Sequence, residues 1–169
     1  EHSDQQFEKA LTELERNNLK GLILDLRENP GGLLQVAVEI GSRFIESGPV
    51  VIIEDRSGAR EPLNVDKSKH NHKRYPLVVL VDKHSASASE IVAGAIQDNN
   101  KGTIVGTDTF GKARVQTVSA LRDGSAIAIT TAKYLTPKGR DINKVGVKPD
   151  VAIEMPELKP GEELIEFGD

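Results

Sequence analysis

Two short aliphatic runs, residues 21–26 (GLILDL) and 77–81 (LVVLV), each lead through a loop into a helical pattern. A strand that is apolar almost throughout needs cover on both faces. After the first run, RENPGG breaks the chain, and Leu33, Ala37, Ile40 and Phe44 follow at helical spacing. After the second, HSASASE breaks it and residues 87–97 carry the helical pattern. Parallel strands cannot be joined by a tight turn and need a crossover, usually a helix. Strand, loop and helix, repeated, therefore predict an α/β fold with a mostly parallel sheet flanked by helices.

The remaining segments fit around that frame. Residues 3–17 read as an amphipathic helix with Phe7, Ala10, Leu11 and Leu14 on one face. Residues 50–53 and 103–105 read as strands. Residues 56–75 are polar and read as an exposed excursion with room for a short hairpin. Residues 115–121 and 126–132 flank RDGS, whose Asp123-Gly124 signals a C-terminal β-hairpin. Residues 1–155 are expected to form one core, with 156–169 an acidic peripheral tail. The chain opens on a helix, as a domain cut from a longer protein would.

Composition narrows the chemistry. There is no cysteine, so disulfides, thiol nucleophiles and cysteine-held zinc are out. A net charge of −4 and an aromatic content of 4% give no basis for a nucleic-acid partner. No apolar run is long enough for a membrane span, and residues 1–17 do not resemble a signal peptide.

In open α/β sheets, ligands gather beyond the carboxyl ends of the strands. RENPGG and DKHSAS both fall there, each before a helix. Glycine lets backbone N–H groups approach a substrate oxygen, and a helix start adds a positive field. Both loops therefore suit an oxyanion, and the second also carries hydroxyls. Each motif also has an ordinary reading, since Pro-Gly-Gly makes turns and serine caps helices.

A third segment, GTDTFGKARVQ, holds Lys112 in a glycine-containing turn. If a strand starts near Lys112, its period of two puts Lys112 and Gln116 on one face. The ordinary alternative is a solvated lysine. A serine nucleophile needs a base, and the other options are His2, His70, His72 and His84. His2 is terminal. His70 and His72 lie in a solvated run without further metal ligands at sensible spacing. His84 is three residues before Ser87, with no evident carboxylate partner besides Asp82.

Taken together and in order, GLILDLRENPGG, SASASEIVAGAIQD, GTDTFGKARVQ and YLTPKGRDINKVGVKPDV resemble the carboxyl-terminal processing (tail-specific) proteases of the S41 serine peptidase family. The resemblance covers residues 5–153. It implies a ClpP/crotonase-like superhelix and a serine endopeptidase that cleaves near the C-termini of protein substrates. It implies a Ser-Lys dyad, with Ser87 as nucleophile, Lys112 as base and Gln116 assisting. It assigns the oxyanion hole to Gly32, with Gly31 the weaker candidate, and Ala88. Ser85 and Ser89 are left to shape the turn and the helix start. No metal or organic cofactor is implied. An extracytoplasmic setting (periplasm, cell envelope or thylakoid lumen) is.

The pattern departs from the family at His84 and Ala113, where glycine is common. A side chain at either position is expected to narrow the site or hold it inactive. Relatives also carry a PDZ domain, which captures a substrate C-terminus as an added strand, and none is read in this chain. Two rivals follow: a catalytically inactive peptide-binding scaffold, and a crotonase-like acyl-coenzyme A-binding protein. A free lysine has a pKa of about 10.4 and is a poor base at neutral pH. Burial lowers such values, so Phe110 and the aliphatic strand around Val115 are expected to wall in the base.

Overall fold

A computed structural model describes residues 3–71 and 75–154. His2, His72 and the acidic tail at 156–169 lie outside the described residues. The two aliphatic runs become β1 (Leu22–Asp25) and β4 (Leu77–Val81), paired in parallel with Leu22 opposite Leu77. β5 (Thr103–Gly106) and β8 (Val151–Ala152) extend the sheet in the order β1-β4-β5-β8, every pair parallel. On one face, Leu77, Val79, Val81 and Ile104 are buried in the main core. The opposite face is thinly covered: Ile23 is 68% exposed and Val151 46%.

The parallel sheet is only half of the β structure. β2 (Pro49–Asp55) belongs to a second, antiparallel sheet with β3 (Arg60–Asn64), β7 (Ala126–Leu135) and β6 (Arg114–Ala120), in the order β3-β2-β7-β6. A tight turn explains why. Asp55 Oδ1 accepts from Ser57 N–H, Ser57 Oγ–H and Ala59 N–H, and Gly58 supplies a φ of +85°. The chain therefore reverses at once, and β2 offers its other edge to β7. The hairpin expected within 56–75 is instead formed between β2 and β3, so only its second strand lies in that segment, whereas the one expected at Asp123-Gly124 is present.

Three helices complete the fold: α1 (Ser3–Arg16), α2 (Leu34–Phe44) and α3 (Ala88–Asp98). α1 buries only Leu11 and sets Phe7 edge-on to Phe44 of α2, while Leu14 stays 45% exposed. α3 is buried from Ser89 through Ile96. It packs on α2, on β5 of the parallel sheet and on β2 of the antiparallel one. A helix buried on several sides has to be apolar most of the way round, and small residues let it sit close. A Cβ on Gly94 would lie 3.1 Å from Thr136 Cγ2. It buries three polar residues, Ser89, Glu90 and Asp98, and both acids have partners. Asp98 pairs with Arg140 at 2.5 Å and accepts from Lys138 N–H, and Glu90 serves the site described next. No helix among the described residues is long and apolar enough to cross a membrane.

Candidate active site

Ser87 sits where β4 turns into α3, at the N-cap position, with φ 54° and ψ −114°. Few non-glycine residues adopt this backbone, and holding one there costs about 1–3 kcal/mol that the surroundings must impose. The constraints can be named. Asp82 Oδ1 accepts from the N–H groups of His84 and Ser85. Ser85, fully buried, donates from Oγ to the Leu26 carbonyl at 2.7 Å and accepts from Asp82 N–H. Ala86 N–H donates to the Asn29 carbonyl. The end of β1 and the turn after β4 are thus bonded directly.

The glycine loop lies against that turn. A Cβ on Gly31 would be 2.5 Å from the Ala86 carbonyl oxygen, 2.7 Å from Ala88 N and 3.0 Å from Ser87 Cβ. The φ of Gly31 is +93°, so contact and conformation both demand glycine. Its N–H is engaged by Asn29 Oδ1 at 2.9 Å. Gly32 differs: a Cβ there meets nothing within 4 Å, and among the described residues its N–H has no partner. Ala88 opens α3, where an N–H has no intrahelical acceptor.

Glu90 was not singled out in the sequence, yet it joins the turn bearing Ser87 to the loop bearing Lys112. It is fully buried. Its Oε2 accepts from Ser87 N–H and Lys112 N–H, each at 2.9 Å. Its Oε1 accepts from Gly111 N–H at 2.7 Å and from the Thr109 hydroxyl. Phe110 N–H adds a bond to the Ser85 carbonyl. The segment 142–147 backs the loop: Lys144 N–H donates to the Gly111 carbonyl and Val147 N–H to Thr109 Oγ1. Four donors on one carboxylate are what allow a buried acid here. The signal available in the sequence was an acid in the first turn of a helix whose next six residues are apolar or glycine.

Three expectations need correction. Phe110 does not wall in Lys112, because Phe110 is 63% exposed and Lys112 is itself exposed. β6 begins at Arg114, after Lys112, so the four-residue spacing to Gln116 is not a strand spacing. Gln116 lies exposed within β6. Ala113 does not intrude on the site, since its methyl group is buried in a small cluster with Ile142 and Val147.

His84 also has a partner the sequence did not reveal. Its Nδ1 lies 2.6 Å from Glu28 Oε1 and 3.9 Å from Asp82 Oδ2. Glu28 N–H in turn donates to the Asp82 carboxylate. Burial pushes the Asp82 carboxyl up, but the N–H donors of Glu28, His84 and Ser85 outweigh it and hold it below the usual carboxylate range. Beside it, the Arg27 guanidinium lowers Asp25, at 2.6 Å.

A cavity of about 320 Å³ opens beside these loops, lined by Gly32, Ala88, Leu26, Val36, Ile40 and Val92, among others. Its walls are mostly apolar, and Gly32 and Ala88 are both among its lining residues.

A model of peptidase family S41 matches residues 1–153. The chain is 45% identical over 153 residues to the chloroplastic C-terminal processing peptidase of Tetradesmus obliquus, covering 90% of this chain and 32% of that one. It is 46% identical over 147 residues to the carboxyl-terminal-processing protease of Synechocystis sp., covering 87% and 34%. The chain spans about a third of the length of these curated relatives. Among solved structures, the photosystem II D1 C-terminal processing protease superposes with a TM-score of 0.83 at 44% identity, covering 90% of this chain and 39% of that one.

Proposed function

The chain belongs to peptidase family S41, and from that premise we propose that it is a serine endopeptidase acting near the C-termini of protein substrates. Ser87 Oγ attacks the scissile carbonyl, and Lys112 takes its proton and returns it to the leaving amine. The N–H groups of Gly32 and Ala88 stabilise the oxyanion, and Gln116 assists the lysine. The observation that carries this reading is the Glu90 carboxylate, which fixes the backbones of Ser87 and Lys112 together. Removing one oxyanion donor typically costs about 2.7–4 kcal/mol of barrier, so the two N–H groups account for much of the expected acceleration.

The apolar cavity beside Gly32 and Ala88 supports a preference for an apolar side chain next to the cut. A volume of about 320 Å³ has room for one aliphatic or aromatic side chain of an extended, flexible tail, the substrate proposed here. Capture by a separate peptide-binding module, and an extracytoplasmic place of action, belong to the same proposal. No metal or organic cofactor enters the reaction, because lysine and backbone N–H groups supply base and electrophile.

One observation favours a second reading. The Glu28–His84 pair gives His84 an orienting carboxylate, as a serine–histidine mechanism requires. Labelling with a serine-directed fluorophosphonate tests the main proposal. Label on Ser87, lost in Lys112→Ala and kept in His84→Gly, supports the Ser-Lys dyad. The reverse pattern assigns the base to His84, and no label on an intact fold identifies an inactive scaffold.

A further inference from the structure

We propose that Glu28, Asp82 and His84 form a site for a divalent transition-metal ion of the zinc type, separate from the peptidase chemistry. Among the described residues these are the one set of three or more such side chains whose donor atoms all fall within 4.8 Å of one another. The fold creates the site. Glu28 and His84 are 56 residues apart and meet because β1 and β4 are neighbours whose following turns are bonded together.

The donors have the right chemistry and spacing. Zinc takes imidazole nitrogen and carboxylate oxygen, and bonds of about 2.0–2.1 Å in a tetrahedron set donors roughly 3.3 Å apart. His84 Nδ1 stands 2.6 Å from Glu28 Oε1 and 3.9 Å from Asp82 Oδ2, on either side of that spacing. Asp82 is already fixed by backbone N–H groups that converge mainly on Oδ1, leaving Oδ2 the less occupied oxygen. The Glu28 and His84 side chains are 73% and 49% exposed, so an ion enters without opening the core and water completes its shell. The His84–Glu28 contact already brings an imidazole nitrogen and a carboxylate oxygen to one point. Magnesium and calcium prefer all-oxygen ligand sets, and the imidazole selects against them.

An ion here clamps the turn bearing Ser87 to the loop bearing Gly32. The test uses the Ser87→Ala protein, so that its result does not depend on peptidase activity. Zn²⁺ binding is followed by calorimetry and by the rise in melting temperature, with Co²⁺ absorption as a spectroscopic probe. The expected result is one Zn²⁺ per chain, not displaced by excess Mg²⁺, with affinity falling at least about tenfold in both Glu28→Gln and His84→Gly. Circular dichroism of the metal-free variants confirms that they are folded. Absence of Zn²⁺ binding overturns the proposal. So does binding that survives both substitutions, which assigns the ion to other histidines, or Mg²⁺ competing on equal terms, which reports surface charge alone.

Discussion

Ser87 and Lys112 donate their backbone N–H groups to the same atom, Oε2 of Glu90, each at 2.9 Å. The two nitrogens therefore stand within two hydrogen-bond lengths of each other, although they come from different loops. Glu90→Gln keeps the shape and replaces one acceptor oxygen with an NH₂ group. Either the Ser87 and Lys112 donors or those of Gly111 and Thr109 then face another donor in a buried site. A buried donor left unpaired costs about 1–3 kcal/mol. Glu90→Gln should lose about that much stability in urea unfolding, with kcat falling far more than KM in a peptide assay. An unchanged kcat would show that the shared carboxylate does not set the geometry of the proposed dyad.

Ser87→Ala should abolish turnover while the protein still melts cooperatively. Lys112→Ala should be as damaging. His84→Gly should retain turnover, because in the favoured reading His84 neither takes nor gives the proton. Initial rates on a flexible peptide, with the three melting curves beside them, decide the matter.

The adjacent glycines should behave oppositely. Gly31→Ala forces a methyl group into the Ala86 carbonyl, Ala88 N and Ser87 Cβ at a φ of +93°. It should destabilise by about 1–3 kcal/mol and silence the enzyme. Gly32→Ala places its methyl in open space and keeps the N–H, so its unfolding midpoint should stay near wild type. Equal losses in the two variants would contradict the close docking of the glycine loop.

Filling the apolar cavity should change selectivity before it changes the fold. Val36→Phe or Val92→Phe occupies part of the space of about 320 Å³ beside Gly32 and Ala88. Substrates with a large apolar residue before the cut should lose roughly 10–200-fold in kcat/KM relative to alanine substrates, the range a methylene-scale change of fit produces. A uniform loss across a substrate panel would mean that the cavity does not receive that side chain.

Chelation should leave turnover intact, because the proposed metal site lies beside the reaction and not in it. Peptidase rates after exhaustive EDTA treatment should match those before it. A loss that Zn²⁺ restores would place the ion in the mechanism.

What the sequence conveyed was local. The runs at 21–26 and 77–81, the helices after them and the Asp123-Gly124 hairpin are dictated by residues near one another, and the structure holds them all. The motifs also marked the loops that come together. The hidden parts were long-range. Glu90 looks like any acid on a helix until the lysine loop arrives with its N–H groups. Glu28 and His84 meet only through strand pairing. β2 reads as one more strand of the parallel sheet, because nothing in PVVIIED says which neighbours it takes. β8, two residues long, lacks any pattern to read.

On the proposed mechanism, the backbone of Ser87, at φ 54°, sets thermal endurance and turnover against each other at a single residue. Glycine occupies that conformation without strain. Ser87→Gly should relieve about 1–3 kcal/mol, less the roughly 0.5–1 kcal/mol that glycine loses in unfolded-chain entropy, and come out sturdier but inert. A library of this gene screened only for survival on heating should therefore discard the serine. Its presence in a natural chain is a trace of selection for something other than durability.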